Sequence, residues 1–232
     1  WGSKKYLTAS LDQSLERLQI EYVDIFYSHR FDPLTPLEET ADALAQSVYQ
    51  GKALYVGISS YSSKQTIRMN KLLKERGISC LIHQPSYSML NRWIEKDLLK
   101  TLSKLGIGCI AFSPLAQGML SEKYLHKIPK NSRAAENSSL DKSKITKSYF
   151  IKIKGLSKIA KKRGQTISQL AIAWVLRHKT MTSALIGTRT VKQLEECLDS
   201  LKNLKFSKLE LKQIDKFAKE EKINLWEPSS RY

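Results

Sequence analysis

Tyr22-Val23-Asp24-Ile25-Phe26-Tyr27-Ser28-His29-Arg30-Phe31-Asp32-Pro33 is an apolar run of strand length. It ends in Ser-His-Arg, and a Pro-containing turn then leads into a helical pattern. A strand buried on both faces belongs to a parallel sheet, and in a β/α barrel the chemistry sits at the carboxyl ends of the strands. His29 occupies such an end. A lone histidine there is equally well a polar cap on a strand, so its meaning depends on what ends the other strands.

On the amino-terminal side, Leu7, Leu11, Leu15 and Leu18 recur at helical spacing, which predicts a helix over residues 4–18 capped by Ser3. On the other side, Thr35-Pro36-Leu37-Glu38-Glu39 predicts a helix capped by Thr35 and closed by Gly51. Residues 53–58 form a second strand ending in Gly57-Ile58-Ser59-Ser60, and Ser62 caps a helix over 63–76. Cys80-Leu81-Ile82-His83-Gln84 is a third strand, and a helix over 95–105 is closed by Gly106. Residues 107–112 form a fourth strand ending in Ser113-Pro114-Leu115-Ala116-Gln117-Gly118. From Ser121 to about residue 147 no clean period is present, which predicts a long loop of the kind that carries function. Helices over 149–162 and 167–178 precede a fifth strand over 183–186, which ends at Gly187-Thr188-Arg189. Helices over 190–201 and 207–222 complete the pattern.

Strand and helix alternate five times, so the fold class is α/β with a parallel sheet. The alternation by itself fits a doubly wound sheet or a barrel. No strand is followed by the glycine-rich phosphate fingerprint of the dinucleotide-binding fold.

Composition bounds the partners. The chain has 39 Lys and Arg against 22 Asp and Glu, a net charge of +17. The lysines fall mostly on polar faces of helical patterns, and aromatics are not interleaved with them as single-strand stacking requires, so a solvated surface is expected and no nucleic acid. No apolar run approaches the roughly 20 residues of a membrane span, and no signal-peptide pattern opens the sequence, so no membrane partner is expected. Cys80, Cys109 and Cys197 have no metal-ligand spacing, which fits reduced thiols in the cytoplasm and no metal.

The strand ends, taken together, resemble a known family. Tyr22 to Arg30, Gly57-Ile58-Ser59-Ser60-Tyr61-Ser62, His83-Gln84-Pro85-Ser86-Tyr87, Phe112 to Gly118 and Gly187 to Glu196 resemble aldo-keto reductase motifs in the family's order. The tail Asn224-Leu225-Trp226-Glu227-Pro228-Ser229-Ser230, with Leu90-Asn91-Arg92-Trp93, resembles the branch containing bacterial L-glyceraldehyde 3-phosphate reductases and potassium-channel β-subunits. The resemblance implies a (β/α)8 TIM barrel of which only about the last five β/α units are present. Residues 1–232 would then be a single barrel domain whose first three strands are missing.

The resemblance also implies a bound NADPH and a small-molecule carbonyl substrate. His29 would be the catalytic histidine that orients the carbonyl. Ser59, Ser60 and Gln84 would hold the nicotinamide carboxamide, and Phe112 would stack on its ring. Ser113, Leu115 and Gln117 would line the pyrophosphate and ribose, with Lys123 and Arg133 as cationic partners for phosphate oxygens. Thr188 and Arg189 would meet the adenosine 2′-phosphate, with Gly187 beside them in the cofactor site, and Gln193 and Glu196 would face the adenine. Position 197 departs from the pattern, with Cys197 where the family usually has Asn. No Tyr, Lys or Asp of this sequence matches the other three members of the family's catalytic tetrad, so the chain is expected to be an inactive fragment on its own. The alternative is a regulatory protein that keeps the cofactor without catalysis, as in the channel β-subunits, although those carry Asn in place of His29.

Overall fold

The computed structural model describes residues 1–125, 128, 130, 135, 140, 142–221 and 223. Among them the order is α1 (Lys4–Leu18), β1 (Val23–Ser28), α2 (Leu37–Tyr49), β2 (Ala53–Ser59), α3 (Ser63–Glu75), β3 (Cys80–Gln84), α4 (Leu98–Leu105) and β4 (Gly108–Phe112). Then follow α5 (Lys147–Lys162), α6 (Ile167–Leu176), β5 (Met181–Leu185), α7 (Val191–Leu198) and α8 (Lys208–Asp215). The sheet has the strand order β1-β2-β3-β4-β5, and β1 through β4 pair in parallel. The described residues group into two compact units. One holds Trp1–Pro85 and Ile94–Ile110; the other holds Ser86–Trp93 and the described residues from Ala111 on.

In the first unit the pairing register levels the strand ends. Ser28 lies opposite Ile58, and Ser59 opposite Gln84, so His29, Ser59, Ser60 and Gln84 follow one another along a single carboxyl rim. The core beneath them is built from one stripe of each helix: Leu7, Leu11 and Leu15 of α1, Ala41, Leu44 and Ala45 of α2, and Met69 and Leu73 of α3. In the second unit α6 is apolar nearly all round and buried, with Leu170, Ala171, Ala173, Trp174 and Val175 fully enclosed. It is the helix that α5, α7 and β5 pack against.

Most of the predicted ends are realised by their caps. Ser3 accepts from the Tyr6 N–H, and Ser62 with Gln65, Thr166 with Gln169 and Ser207 with Glu210 form reciprocal capping boxes. Thr35 is the exception. The helix begins one residue later with Pro36 at the cap position, and the Thr35 hydroxyl donates to Asp32 Oδ2 at 2.8 Å. An acidic acceptor three residues upstream outcompetes the cap. The helix expected over 95–105 starts only at Leu98, after a 3-10 turn at Trp93–Glu95. The one expected over 190–201 tightens into a 3-10 turn after Leu198. The last predicted helix stops at Asp215 and not near residue 222. Arg92 explains this, because its Nη1 holds both Asp215 Oδ1 at 2.7 Å and the Ala218 carbonyl at 2.8 Å. The Glu221 N–H then bonds Leu90 O, so the chain leaves the helical path. Within the segment expected as a long loop, the described residues include short 3-10 turns at Glu122–Tyr124 and Lys142–Lys144.

His83 on β3 is a buried titratable group within this core. It is 0 % exposed, its Nε2 donates to the Tyr61 carbonyl at 3.1 Å, and Nδ1 has no partner among the described residues. Burial pushes its pKa down to about 4, and the Tyr61 bond offsets this only in part. Between about pH 6.5 and about pH 4 the unfolded chain takes up a proton that the folded one does not. Stability therefore falls as pH drops through that window, by roughly 3 kcal/mol in all, and levels off below it. Urea unfolding of the chain and of His83→Gln at pH 7, 5.5 and 4 should show the two stabilities drawing together as pH falls. A difference that does not change with pH would show that His83 titrates normally in the fold.

Candidate functional site

The rim residues lie in the first unit. His29 follows the last residue of β1 and lines a pocket of about 420 Å³ with Tyr6, Tyr27, Arg30 and Phe31. It is solvent-exposed on one side, and its remaining burial, followed by the charge of Arg30, lowers its pKa below the ordinary 6.5. The imidazole is therefore neutral at pH 7, with one nitrogen a donor and the other an acceptor. Ser59 and Ser60 are buried at the end of β2, and Ser60 takes a left-handed φ of 59°. The Ser59 hydroxyl donates to the Gln84 carbonyl at 2.7 Å, and the Ser60 N–H donates to the same oxygen at 3.3 Å. The Gln84 side chain is hydrogen-bonded to the Tyr27 hydroxyl, whose pKa is raised by burial. Thus Ser59 has its donor committed and its lone pairs left, while Gln84 keeps part of its amide capacity.

The second unit holds a pocket of its own of about 700 Å³, within the range of small-molecule and cofactor sites. It brings together Phe112, Ser113, Leu115, Gln117, Lys123, Gly187, Arg189, Gln193 and Glu196, nine residues that the sequence singles out from three separate stretches. Arg133 lies outside the described residues, as does the tail from Asn224. The segment after β4 is conformationally strained: Ser113, Ala116 and Gln117 have φ of 54°, 49° and 59°, values that non-glycine residues hold only when their surroundings impose them. Phe112 is held in place through its backbone, whose carbonyl accepts from the Tyr87 N–H at 3.2 Å.

Charge in the pocket is mostly positive and uncommitted. Arg189 is exposed with no ion-pair partner among the described residues, and its N–H donates to Gln193 Oε1 at 2.9 Å. Lys123 is likewise exposed and unpaired, with Nζ 5.8 Å from the centroid of the Tyr124 ring. Glu196, the acid of the group, is already occupied: its Oε1 accepts from the Thr166 hydroxyl at 2.8 Å. Gln117 Oε1 is buried without a partner among the described residues. Two unpaired cations, an unsatisfied amide oxygen and an aromatic face suit an anionic ligand that also carries donors and a flat ring.

Residues 1–219 match the aldo/keto reductase family. The chain is also 52% identical over 234 residues to the L-glyceraldehyde 3-phosphate reductases of Escherichia coli strain K12 and strain O157:H7. The match covers 99% of this chain and 68% of each relative. This chain belongs to the aldo/keto reductase family. Among solved structures, it is similar to a thermostable aldo-keto reductase crystallised with the inhibitor epalrestat. The TM-score is 0.71 at 29% identity, covering 93% of this chain and 67% of that one.

The family motifs account for much of the second pocket and overlook part of it. Ser168, in the first turn of α6 and 7% exposed, lines it together with Ser121 and Ile186. The Thr166-to-Gln169 capping spacing marks the start of that helix in the sequence, and so marks Ser168 as a residue beside unpaired backbone N–H groups. Cys197, the departure from the family pattern, is a buried free thiol in the same wall. Among the described residues no cluster of His, Cys, Asp and Glu could hold a metal, and no helix is long and apolar enough to cross a membrane.

Gly57 underlies the rim of the first unit. A Cβ there would lie 2.6 Å from Tyr27 Cε1 and 3.0 Å from Ile82 Cγ2, so only glycine lets the Tyr27 ring cross β2 and reach Gln84. Gly57→Ala should cost about 1–3 kcal/mol, read as several degrees in Tm. Truncating the ring removes the clash, so in a Tyr27→Val background the same change should cost much less. Equal costs in both backgrounds would mean that the ring is not what excludes a side chain there.

Proposed function

We propose that this chain is part of an NADPH-dependent reductase of small aldehydes and ketones, with glyceraldehyde 3-phosphate as the first substrate to test. The observation that carries the reading is the second unit's pocket, where Phe112, the strained segment 113–117 and the unpaired cations Lys123 and Arg189 converge. The substrate suggestion rests on the names of the Escherichia coli relatives. Membership of an oxidoreductase family favours this over a regulatory role.

When bound, the nicotinamide cofactor supplies a hydride. In the second unit, Phe112 would cover the nicotinamide ring, Ser113, Leu115 and Gln117 would meet the pyrophosphate and ribose, and Lys123 would neutralise phosphate charge. Thr188 and Arg189 would take the 2′-phosphate beside Gly187, and Gln193 and Glu196 would flank the adenine. In the first unit, Ser59 and Gln84 keep, beyond their mutual bonds, hydrogen-bonding capacity for a polar ligand group. Neutral His29 offers an N–H to the carbonyl oxygen and fixes its direction without giving up the proton. Protonation of the developing alkoxide needs an acid, and no tyrosine of this sequence matches the family's tyrosine motif.

Two measurements test the reading. The Arg189 guanidinium is charged at every accessible pH and presents a fork suited to phosphate. Because Arg189 is exposed, solvent screening places the contact at the lower end of the charge-assisted range. Arg189→Ala should weaken NADPH about tenfold and leave NADH nearly unchanged in fluorescence titration. Equal losses for both cofactors, or none, would mean that Arg189 does not read the 2′-phosphate. With NADPH and glyceraldehyde 3-phosphate, absorbance at the nicotinamide band should show binding without turnover by the chain alone. A turnover abolished by His29→Ala would place the acid among the residues present here.

A further inference from the structure

Three residues beside His29 are tied to one side chain on the neighbouring strand end. Tyr61 is 0 % exposed, and its Oη lies 2.8 Å from Ser28 Oγ, itself 1 % exposed. Its ring meets Phe31 edge-on, with centroids 5.6 Å apart and planes at 82°. Ser28 Oγ in turn donates to the Arg30 carbonyl at 3.4 Å. A hydroxyl has one proton, and that of Ser28 is used on Arg30, so Tyr61 is the donor to Ser28. Burial raises the Tyr61 pKa, so this proton stays in place throughout the working range.

Tyr61 is itself held from behind. His83 Nε2 donates to its carbonyl, and the next residue, Ser62, is locked into the capping box that starts α3. A fixed residue 61 thus grips residues 28 and 31 directly and residue 30 through Ser28. His29 lies inside that grip. A ring that merely filled core volume would do as well without its hydroxyl, and this one places its hydroxyl on a side chain that itself bonds the Arg30 carbonyl just beyond His29.

We propose that Tyr61 is a positioning residue for His29, acting through the buried Tyr61–Ser28–Arg30 hydrogen-bond relay and the edge contact to Phe31. The inference rests on reading His29 as the group that orients the carbonyl. Tyr61→Phe keeps the ring and its Phe31 contact and removes only the relay. Losing one buried hydrogen bond should raise the population of displaced His29 conformers about fivefold.

The test follows the His29 imidazole by NMR during a pH titration, with the signal assigned by its loss in His29→Gln. In Tyr61→Phe the His29 midpoint should rise towards that of a solvated histidine and its signals broaden, while those of His83 stay in place. Ser28→Ala breaks the relay from the other end and should produce the same change. The double variant should add nothing further. An unaltered His29 titration in either variant, provided it remains folded, overturns the positioning role. The readout is the environment of a side chain and not turnover, so that result would leave the reductase reading intact. Failure of NADPH binding would overturn the reductase reading without touching this one.

Discussion

Parallel pairing with a level register is the constraint on which the first unit depends. Because Ser28 stands opposite Ile58 and Ser59 opposite Gln84, the polar residues that end β1, β2 and β3 arrive at one rim. Successive side chains on a strand point to opposite faces, so a slip of one residue would turn Tyr27 and Gln84 away from each other. The same register sets Tyr27 opposite Gly57, the position where a side chain would collide with its ring. A glycine in a strand is ordinarily a weakness. Here it clears the path by which one strand's tyrosine reaches a residue two strands away.

The rim is consequently a network in which many groups are already engaged before any ligand arrives. Ser59 and Ser60 both converge on the Gln84 carbonyl, and the Gln84 side chain is taken by Tyr27. Such mutual bonds fix orientation, and they also decide which hydrogen-bonding capacity is left over for a bound group. The second unit shows the opposite state. Its cations Arg189 and Lys123 have no ion-pair partners among the described residues, and three left-handed non-glycine residues store strain beside them. Rigid, satisfied groups suit a role in alignment, whereas unpaired cations suit capture of an anion.

Much of the architecture was legible in the residues themselves. Leucines at helical spacing with Ser3 ahead of them, the Ser62 and Gln65 pair, and apolar runs closed by glycines each encode an element through short-range chemistry. Where that chemistry had a stronger competitor, the reading failed. Thr35 has the look of a cap, yet its hydroxyl goes to Asp32; the last helix stops at Asp215 because Arg92, 123 residues earlier, takes a carbonyl beyond it.

The sequence by itself determined the order and type of the elements, the polar residues at each strand end, and the family to which their motifs belong. The elements follow from periodicity, capping and local steric preference, all of which act within a few residues, and the family follows from the resemblance of the strand-end motifs. Only the tertiary structure decided which of those polar groups are already spent, that Gly57 must stay bare for Tyr27, and that Ser168 joins the pocket. It alone shows that Tyr61 grips the residues around His29, because a hydrogen bond between positions 28 and 61 exists only once two strands are set in register.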